Sequence, residues 1–367
     1  MNTVIICLTA HGYKLGQKLK NTMADSNPDS ITLYAPNRNF VNPAEAFIFD
    51  ELAQVVQKVF PRCRQIIFIM ALGIAVRVLA KHIRNKTTDP AVVVLDETGQ
   101  HVISVLSGHL GGANQMARRI AGAIGARPVI TTATDVHGLP AMDDLAREYN
   151  MAIDPLAGIR RVNSALVNGE TVYIYTDNAL PIKPVDQIKI YSTRDYPVPD
   201  AQASHHVIVT NRCLTEPISN TLFLRPRNLV AGVGCRSGTP SEKILAAIKD
   251  ALANCRRSLL SLRALSTIEQ KAGEAGLRQA AAALKLPLVC FSPEQINKLV
   301  LGSNQMLKRS DFVQKIMGVP GVCEPAALLA TRKGELISAK QKYQGITVAL
   351  AEDQYWWSAP DRELPPI

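Results

Sequence analysis

Short apolar runs alternate with amphipathic segments along the first 140 residues of the chain. The runs are rich in Val and Ile, as is typical of strands that a parallel sheet buries on both faces. They lie at 3–9, 31–35, 66–71, 91–95, 102–106 and 127–131. The segment after Gly112 instead places Met116, Ile120 and Ile124 four residues apart and ends at Gly125, which indicates a helix. The alternation predicts an N-terminal α/β domain over residues 1–140, built on a mostly parallel open sheet.

The pattern changes after residue 140. Helical periodicity is followed by β-like stretches that prolines interrupt, which predicts a small α+β middle domain over 141–226. The helices are expected at 142–149 and 158–167, and the strands at 171–176, 187–192, 205–211 and 221–226.

A second α/β pattern predicts a C-terminal α/β domain over 227–352, followed by a tail at 353–367. It opens with a strand at 228–235 and an amphipathic helix for which Thr239 is the predicted N-cap. Further helices are expected at 266–285, 293–300, 310–318 and 323–331, a strand at 287–292, and a hairpin at 335–343 and 346–352.

Charge and composition narrow the class of ligand. The 367 residues carry a formal charge of +10, but the cations occur singly or in pairs and aromatic residues make up only 5%. This favours a polyanionic small molecule over nucleic acid, which needs basic blocks and stacking rings. The seven cysteines are scattered with no C-x-x-C pair, which predicts reduced thiols and no zinc cluster.

Neither a membrane segment nor a signal peptide is expected. The longest apolar run, 66–76, is too short to span a bilayer, and the first residues lack a basic start. Both features predict a cytoplasmic protein.

Two glycine-rich turns stand where a strand passes into a helix. The first, SGHLGGAN at 107–114, offers candidate binding groups in Ser107, Gly111, Gly112 and Asn114. Its His109 is a candidate base, acid or hydrogen-bond donor near neutral pH, and the alternative is a histidine that only caps the helix.

The second turn, GVGCRSGTP at 232–240, does not have the spacing of a dinucleotide fingerprint. It still predicts an anion site, formed by Gly234, Arg236, Ser237 and Thr239, because free N–H groups and a helix dipole meet there. A tight turn without a ligand is the alternative.

Other candidates are less distinctive. Thr132 and Thr134 follow a strand and are expected either to bind substrate carboxylates or to cap the next segment. Arg77 is either a carboxylate partner or a helix-surface arginine. Lys86 is a candidate ligand group, or else one half of a surface pair with Asp89.

In the last domain, Glu269 and Lys271 are expected on one short helix with Glu274, where Lys271 and Glu274 could form an ordinary surface bridge. Glu324 stands at a helix start, a position where acidic residues are common for dipole reasons alone.

Two blocks resemble a known family. The segments GIAVR, DPAVVVLDE, ISVLSGHLGGANQMA and PVITTATD are similar to the N-terminal domain of the cobalt-precorrin-5A hydrolases (the CbiG family). GVGCRSGTPSEKI, LSTIEQKAGEAGL and GVPGVCEPAALLA resemble its C-terminal domain, and the middle region resembles the family's variable linker domain weakly.

The resemblance implies a hydrolase of anaerobic cobalamin biosynthesis. It would open the δ-lactone of cobalt-precorrin-5A, cleave a carbon–carbon bond and release acetaldehyde to give cobalt-precorrin-5B. The cobalt belongs to the tetrapyrrole substrate, so no cofactor and no protein-bound metal are expected. Neighbouring methyltransferases of the pathway are possible partners. His109 is the first candidate for catalytic base, with Glu269, Lys271 and Glu324 as further candidates.

Two other functions are compatible with the residues. A non-catalytic corrinoid carrier would need the same basic clefts but would bind without turnover. A nicotinamide- or nucleotide-dependent enzyme is less favoured, because the glycines are misspaced and no ribose-binding acid follows the strand at 229–235.

Overall fold

The computed structural model describes residues 3–23, 31–38, 40–178, 180, 182, 184–197, 205–214, 220–302, 307 and 310–354. The chain divides into two compact units, residues 1–147 and 148–367. No helix in the described part is long and apolar enough to cross a membrane. The predicted domain boundaries at 140/141 and 226/227 stay predictions.

The first unit is a doubly wound α/β sheet with the strand order β3-β2-β1-β4-β5-β6-β7. Every pairing is parallel except that of β5 with β6. The strands are β1 (Thr3–Cys7), β2 (Ile31–Pro36), β3 (Phe47–Phe49), β4 (Gln65–Ile69), β5 (Ala91–Leu95), β6 (His101–Leu106) and β7 (Arg127–Val129). The helices are α1 (Ala10–Met23), α2 (Leu52–Val59), α3 (Leu72–Leu79), α4 (Ala113–Ile124), α5 (Ala133–Val136) and α6 (Met142–Glu148).

Alternation along the central strands fills both faces of this sheet. Ile5 and Ile67 pack in one apolar cluster with residues of α1 and α4, whereas Ile6 and Phe68 pack in another with α2 and α3. Both clusters are fully buried, so the runs of Val and Ile are apolar on both faces, as a parallel sheet requires.

The second unit contains two five-stranded sheets. The first has the order β10-β9-β11-β12-β8 and is parallel except at β12–β8. Its elements are β8 (Met151–Asp154), α7 (Gly158–Val167), β9 (Val172–Thr176), β10 (Ile188–Ser192), β11 (His205–Val209) and β12 (Leu222–Pro226).

The second sheet of this unit has the order β15-β14-β13-β17-β16. The pairings of β15 with β14 and of β14 with β13 are parallel, whereas β13 with β17 and β17 with β16 are antiparallel. Its strands are β13 (Leu229–Cys235), β14 (Leu262–Ile268), β15 (Leu288–Phe291), β16 (Glu335–Tyr343) and β17 (Ile346–Glu352). Its helices are α8 (Ser241–Asn254), α9 (Ala275–Leu284), α10 (Pro293–Gly302), α11 (Asp311–Met317) and α12 (Cys323–Leu329).

Two local predictions in this sheet are wrong. The helix expected at 266–285 is the end of β14, a 3₁₀ turn over Glu269–Lys271, and then α9, with Glu274 at its N-cap position. The strand β14 has the sequence LRALSTI, in which polar and apolar residues do not alternate, so this segment carries no clear strand signal. The N-cap of α8 is Pro240, not Thr239, because the Thr239 hydroxyl donates to the carbonyl of Arg236 at 2.7 Å.

The predicted tail begins with a packed residue. Asp353 is buried and forms an ion pair with Arg263 at 2.8 Å, while residues from 355 onward lie outside the described part of the chain. All seven cysteines are free.

Candidate functional site

His109 lies in the turn between β6 and α4 of the first unit. The turn is possible only with its glycines: a Cβ on Gly111 would lie 2.4 Å from the Cβ of Ser107, and Gly112 has a φ of 86° at the N-cap of α4. Ser107 also adopts a positive φ, 56°, and its hydroxyl donates to the carbonyl of Asp89 at 3.0 Å. This backbone holds the imidazole where β6 and β7 end, which is the edge at which β5 begins, because β5 and β6 are antiparallel.

Three carboxylates surround the His109 ring; we call these four residues the His109 cluster. The Nε2 atom lies 3.0 Å from Asp135 Oδ2 and 3.8 Å from Asp144 Oδ2, and the Nδ1 atom lies 3.4 Å from Asp143 Oδ2. Asp135 belongs to α5, which follows β7, and the other two carboxylates come from the first turn of α6. The His109 side chain is only 15% exposed.

The carboxylates determine the charge of His109. Burial alone would lower the pKa of the imidazole, but the hydrogen bond and charge of Asp143, with Asp144 and Asp135, raise the pKa to about 9. His109 is therefore an imidazolium at neutral pH. Burial also raises the pKa of Asp144 above its ordinary value, whereas Thr132, Arg118 and His109 overcome burial at Asp135 and lower its pKa.

A second set of polar groups fixes Asp135. Thr132 Oγ1 and Asn114 Nδ2 donate to its Oδ2 at 2.5 and 2.9 Å, and Arg118 forms an ion pair with its other oxygen. Thr134 Oγ1 lies 3.2 Å from His109 Nε2. Asn114 and Thr132 thus contact Asp135, and Thr134 contacts the ring; the roles of these predicted residues toward a substrate stay predictions.

Arg147 ties α6 to the same turn. Its Nε donates to the carbonyl of His109 at 3.0 Å, and its Nη2 forms an ion pair with Asp144 Oδ1 at 3.2 Å. Asp143, Asp144, Arg118 and Arg147 were missed by sequence reasoning. Two adjacent acids in the first turn of a helix usually indicate only a favourable dipole interaction, so nothing in the sequence linked them to His109.

The His109 cluster has the spacing of a metal site, but its carboxylates are already paired with cationic side chains. His109, Asp135 and Asp144 have ligand atoms within 4.8 Å of one another. Both carboxylates are already paired with arginines, Arg118 and Arg147, and with the imidazolium itself. These hydrogen bonds suit a site that holds a proton.

Two predicted residues of this unit lie apart from these contacts. Within the described residues, no hydrogen bond or ion pair joins Arg77 or Lys86 to the cluster, and both side chains are exposed. Asp89 does not form the surface pair considered for Lys86; it is buried and accepts the backbone N–H groups of Arg84 and Asn85 at 2.8 and 2.9 Å.

The second unit contains a cavity of about 680 Å³ at the carboxyl end of β13, which we call the cationic pocket. Four cationic side chains line it: Arg236, Lys271, Lys340 and Lys342. None of the described lining residues is acidic. Val313, Ile316 and Met317 of α11 add apolar surface, and Ile316 is 59% exposed. The pocket therefore combines an apolar wall with a cationic one.

Glycines allow the wall of this pocket to form. A Cβ on Gly232 would lie 1.8 Å from the carbonyl oxygen of Cys323, and one on Gly234 would lie 2.7 Å from Thr347 Oγ1. These glycines let α12 and β17 approach β13 closely. Of the predicted anion site, Gly234, Arg236 and Ser237 line the cavity and Thr239 does not, and their binding roles stay predictions.

One donor of the predicted anion site is taken by the chain itself. Glu274 Oε1 accepts the N–H of Gly238 at 2.7 Å, and Glu274 Oε2 lies 3.2 Å from Lys271 Nζ. The hydrogen bond from Gly238, followed by that from Lys271, lowers the pKa of Glu274. The carboxylate thereby stabilises the turn and keeps Lys271 at the pocket wall.

The other two predicted catalytic acids are placed differently. Glu324 is 2% exposed and its Oε1 accepts the backbone N–H of Lys340 at 2.8 Å, where the pairing of β16 with β17 is irregular. Glu269 is exposed and does not line the pocket among the described residues. The geometry gives Glu324 a positioning role for Lys340, and catalytic roles for both acids stay predictions.

Family models cover three consecutive parts of the chain. They are described as cobalamin synthesis G N-terminal, cobalamin biosynthesis central region and cobalamin synthesis G C-terminus, and they match residues 54–135, 140–226 and 229–351. The chain belongs to the cobalamin synthesis G (CbiG) family.

Curated relatives extend over nearly the whole chain. The cobalt-precorrin-5A hydrolase of Salmonella typhimurium is 35% identical over 369 residues, which cover 95% of this chain and 99% of that protein. The cobalt-precorrin-5A hydrolase of Priestia megaterium is 31% identical over 359 residues, 95% of this chain and 94% of that one. Protein CobE of a Sinorhizobium species matches 124 residues at 30% identity, 34% of this chain and 79% of that protein.

Proposed function

We propose that this family member is a cobalt-precorrin-5A hydrolase. It opens the δ-lactone of cobalt-precorrin-5A, cleaves a carbon–carbon bond and releases the two-carbon fragment as acetaldehyde, giving cobalt-precorrin-5B. The observation that carries the proposal is the end-to-end similarity to two proteins of that name. The cationic pocket and the His109 cluster each supply a part of the chemistry.

The cationic pocket fits a tetrapyrrole that carries many carboxylates. A macrocycle of this kind has apolar faces and an anionic rim, and the pocket offers α11 to the face and four cations to the rim. Arginine and lysine pair favourably with carboxylates when water is partly excluded. We therefore assign substrate binding to Arg236, Lys271, Lys340 and Lys342.

The reaction needs a proton acceptor and a proton donor. Water adds to the lactone carbonyl and loses a proton, which opens the ring to a carboxylate and a hydroxyl group. The hydroxyl then loses its proton as the carbon–carbon bond breaks, acetaldehyde leaves, and the ring carbon takes up a proton. Burial makes the Asp144 carboxylate more basic than usual, and His109 carries a proton at neutral pH.

In this scheme Asp144 is the acceptor and His109 the donor. The charge of His109 thus favours a role different from the base that the sequence suggested. In this proposal the cobalt is part of the substrate, and the two proton transfers involve no oxidation or reduction. A cytoplasmic location beside the methyltransferases of the same pathway completes the proposal.

The test is anaerobic incubation of the purified protein with cobalt-precorrin-5A, with acetaldehyde followed through a coupled dehydrogenase. Stoichiometric acetaldehyde above the spontaneous rate supports the hydrolase. Tight binding of the substrate with acetaldehyde only at the spontaneous rate overturns it in favour of a carrier.

A further inference from the structure

A second cavity, of about 330 Å³, lies in the second unit. Its described lining residues are Arg212, Cys213, Leu214, Cys255, Arg256 and Arg257, and none of them lines the cationic pocket. We call it the arginine cavity. It forms where the segment after β11 meets the segment after α8: Arg212 and Arg257 make an isolated antiparallel bridge, and the N–H of Cys213 donates to the carbonyl of Arg256 at 2.8 Å. The cavity thus joins segments that belong to the two sheets of this unit.

Positive charge accumulates around this cavity. Behind its wall, Arg225 is only 6% exposed and donates to the carbonyl of Arg212 at 2.7 Å. Glu352 Oε2 lies 3.5 Å from Arg257 Nη2, and Asp154 acts on Arg225 at longer range. In the described part of the chain, no ion pair involves Arg212, Arg225 or Arg256. Four guanidinium groups therefore have little compensating charge.

One residue of the cavity wall has a buried donor without an acceptor. The Nε atom of Arg257 is buried and lacks a hydrogen-bond partner among the described residues. Buried donors of this kind are nearly always paired. An oxyanion in the cavity would supply acceptors for the guanidinium groups of its wall, which are those of Arg212, Arg256 and Arg257.

We propose that the arginine cavity binds an oxyanion of carboxylate or phosphate geometry. The planar guanidinium group presents paired N–H donors that match both oxyanions, which lysine does not. The cavity is larger than one such anion, so it can receive the oxyanion end of a larger ligand. The bound anion would bridge the segments from the two sheets and stabilise their junction. This site is independent of the proposed hydrolase activity.

Cys213 provides a direct readout, because it is exposed and lines the cavity. We would measure its alkylation by iodoacetamide, a neutral reagent that arginines do not attract, in the full chain by peptide mass mapping. Inorganic phosphate and acetate serve as separate probes, each against sodium chloride of equal ionic strength. We expect at least one of them to slow the reaction of Cys213 saturably, by about threefold or more at several times the dissociation constant.

The variants separate a site from a general charge effect. The double variant Arg212→Gln/Arg256→Gln removes two exposed cations of the cavity, and protection is expected to disappear. The control Arg160→Gln removes an exposed cation of the same unit, on α7, and should retain the protection. If the double variant fails to fold by circular dichroism, Arg212→Gln alone replaces it. Equal protection in the cavity variant, or none with either anion in the unaltered protein, overturns the proposal.

Discussion

The His109 cluster and the cationic pocket differ in how their charges are compensated. In the cluster, cations and carboxylates alternate within hydrogen-bond distance, so nearly every charge has a partner from the chain itself. In the pocket, four cations share a wall with apolar side chains, and Glu274 forms an ion pair with one of them, Lys271. The first arrangement holds a proton in place, whereas the second attracts an anion from outside.

The first arrangement suits proton transfer, and the second suits the binding of a polyanion. Buried, mutually bonded groups keep fixed positions and shift each other's pKa strongly, which proton transfer requires. Cations on an open wall are screened by salt and gain most when a polyanion displaces water from several at once. Variants of the two regions test whether the His109 cluster transfers protons and the cationic pocket binds the substrate.

The largest effect is expected from His109→Gln. Glutamine can keep one hydrogen bond but cannot donate a proton, so the turnover number for acetaldehyde release should fall by about 10²–10⁴-fold with a small change in KM. Steady-state assays measure both constants. The matched control is His101→Gln, which removes an exposed histidine of the same unit and should leave turnover unchanged. If His109→Gln lowers the turnover number by less than about threefold, His109 is not the proton donor of the reaction.

The second prediction concerns pH. The folded pKa of His109 is raised to about 9, so the stability that its protonated form contributes is fully present below about pH 6.5 and is lost as the pH rises through 9. Turnover that depends on His109 as a donor should decline over the alkaline part of this range. Asp143→Asn removes the largest of the favourable interactions, and we expect the alkaline limb to move down by about one pH unit.

The pH profile of turnover, together with an NMR titration of the His109 ring, measures this shift. Asp50→Asn makes the same substitution at an exposed site of this unit and should not move the limb. An unchanged limb in Asp143→Asn would show that His109 does not control the alkaline decline.

The third prediction concerns the pocket. Lys340→Gln and Lys342→Gln should each raise KM about 3–10-fold with little change in turnover, because each removes one interaction with a substrate carboxylate. The KM of the unaltered protein should rise with ionic strength more steeply than that of the variants. Lys243→Gln, on the exposed face of α8, is the control. A fall in turnover at constant KM would instead place these lysines in the chemical step.

The smallest effect on activity is expected from Glu324→Gln. Glutamine keeps the oxygen that accepts the N–H of Lys340, so turnover should change less than about twofold. Glu324→Ala loses that acceptor and should lower the free energy of unfolding by about 1–3 kcal/mol in denaturant titrations. If the glutamine variant instead loses about 100-fold in turnover number, the Glu324 carboxylate is catalytic, as the sequence suggested.

Local signals in the sequence account for most of the fold. The apolar runs predicted β1, β2, β4, β5 and β6, because short runs rich in Val and Ile are typical of strands in a mostly parallel sheet. Gly125 ends α4 in the left-handed conformation, as its position after the last apolar residue indicated. The strand β14 was missed, since its sequence LRALSTI mixes polar and apolar residues without the two-residue alternation of a strand.

The candidate functional groups also divide into those that the sequence indicated and those that only the structure located. The sequence by itself determined that His109 stands in a glycine-rich turn and that the chain resembles the CbiG family, because both are properties of contiguous residues. Only the tertiary structure decided that Asp143 and Asp144 of α6 face the imidazole, and that Lys340 and Lys342 of β16 share a wall with Arg236. These contacts join residues far apart in the chain, so they depend on strand order and helix packing. The charge of His109 follows from them, since a pKa is set by the groups around a side chain and not by those beside it in the sequence.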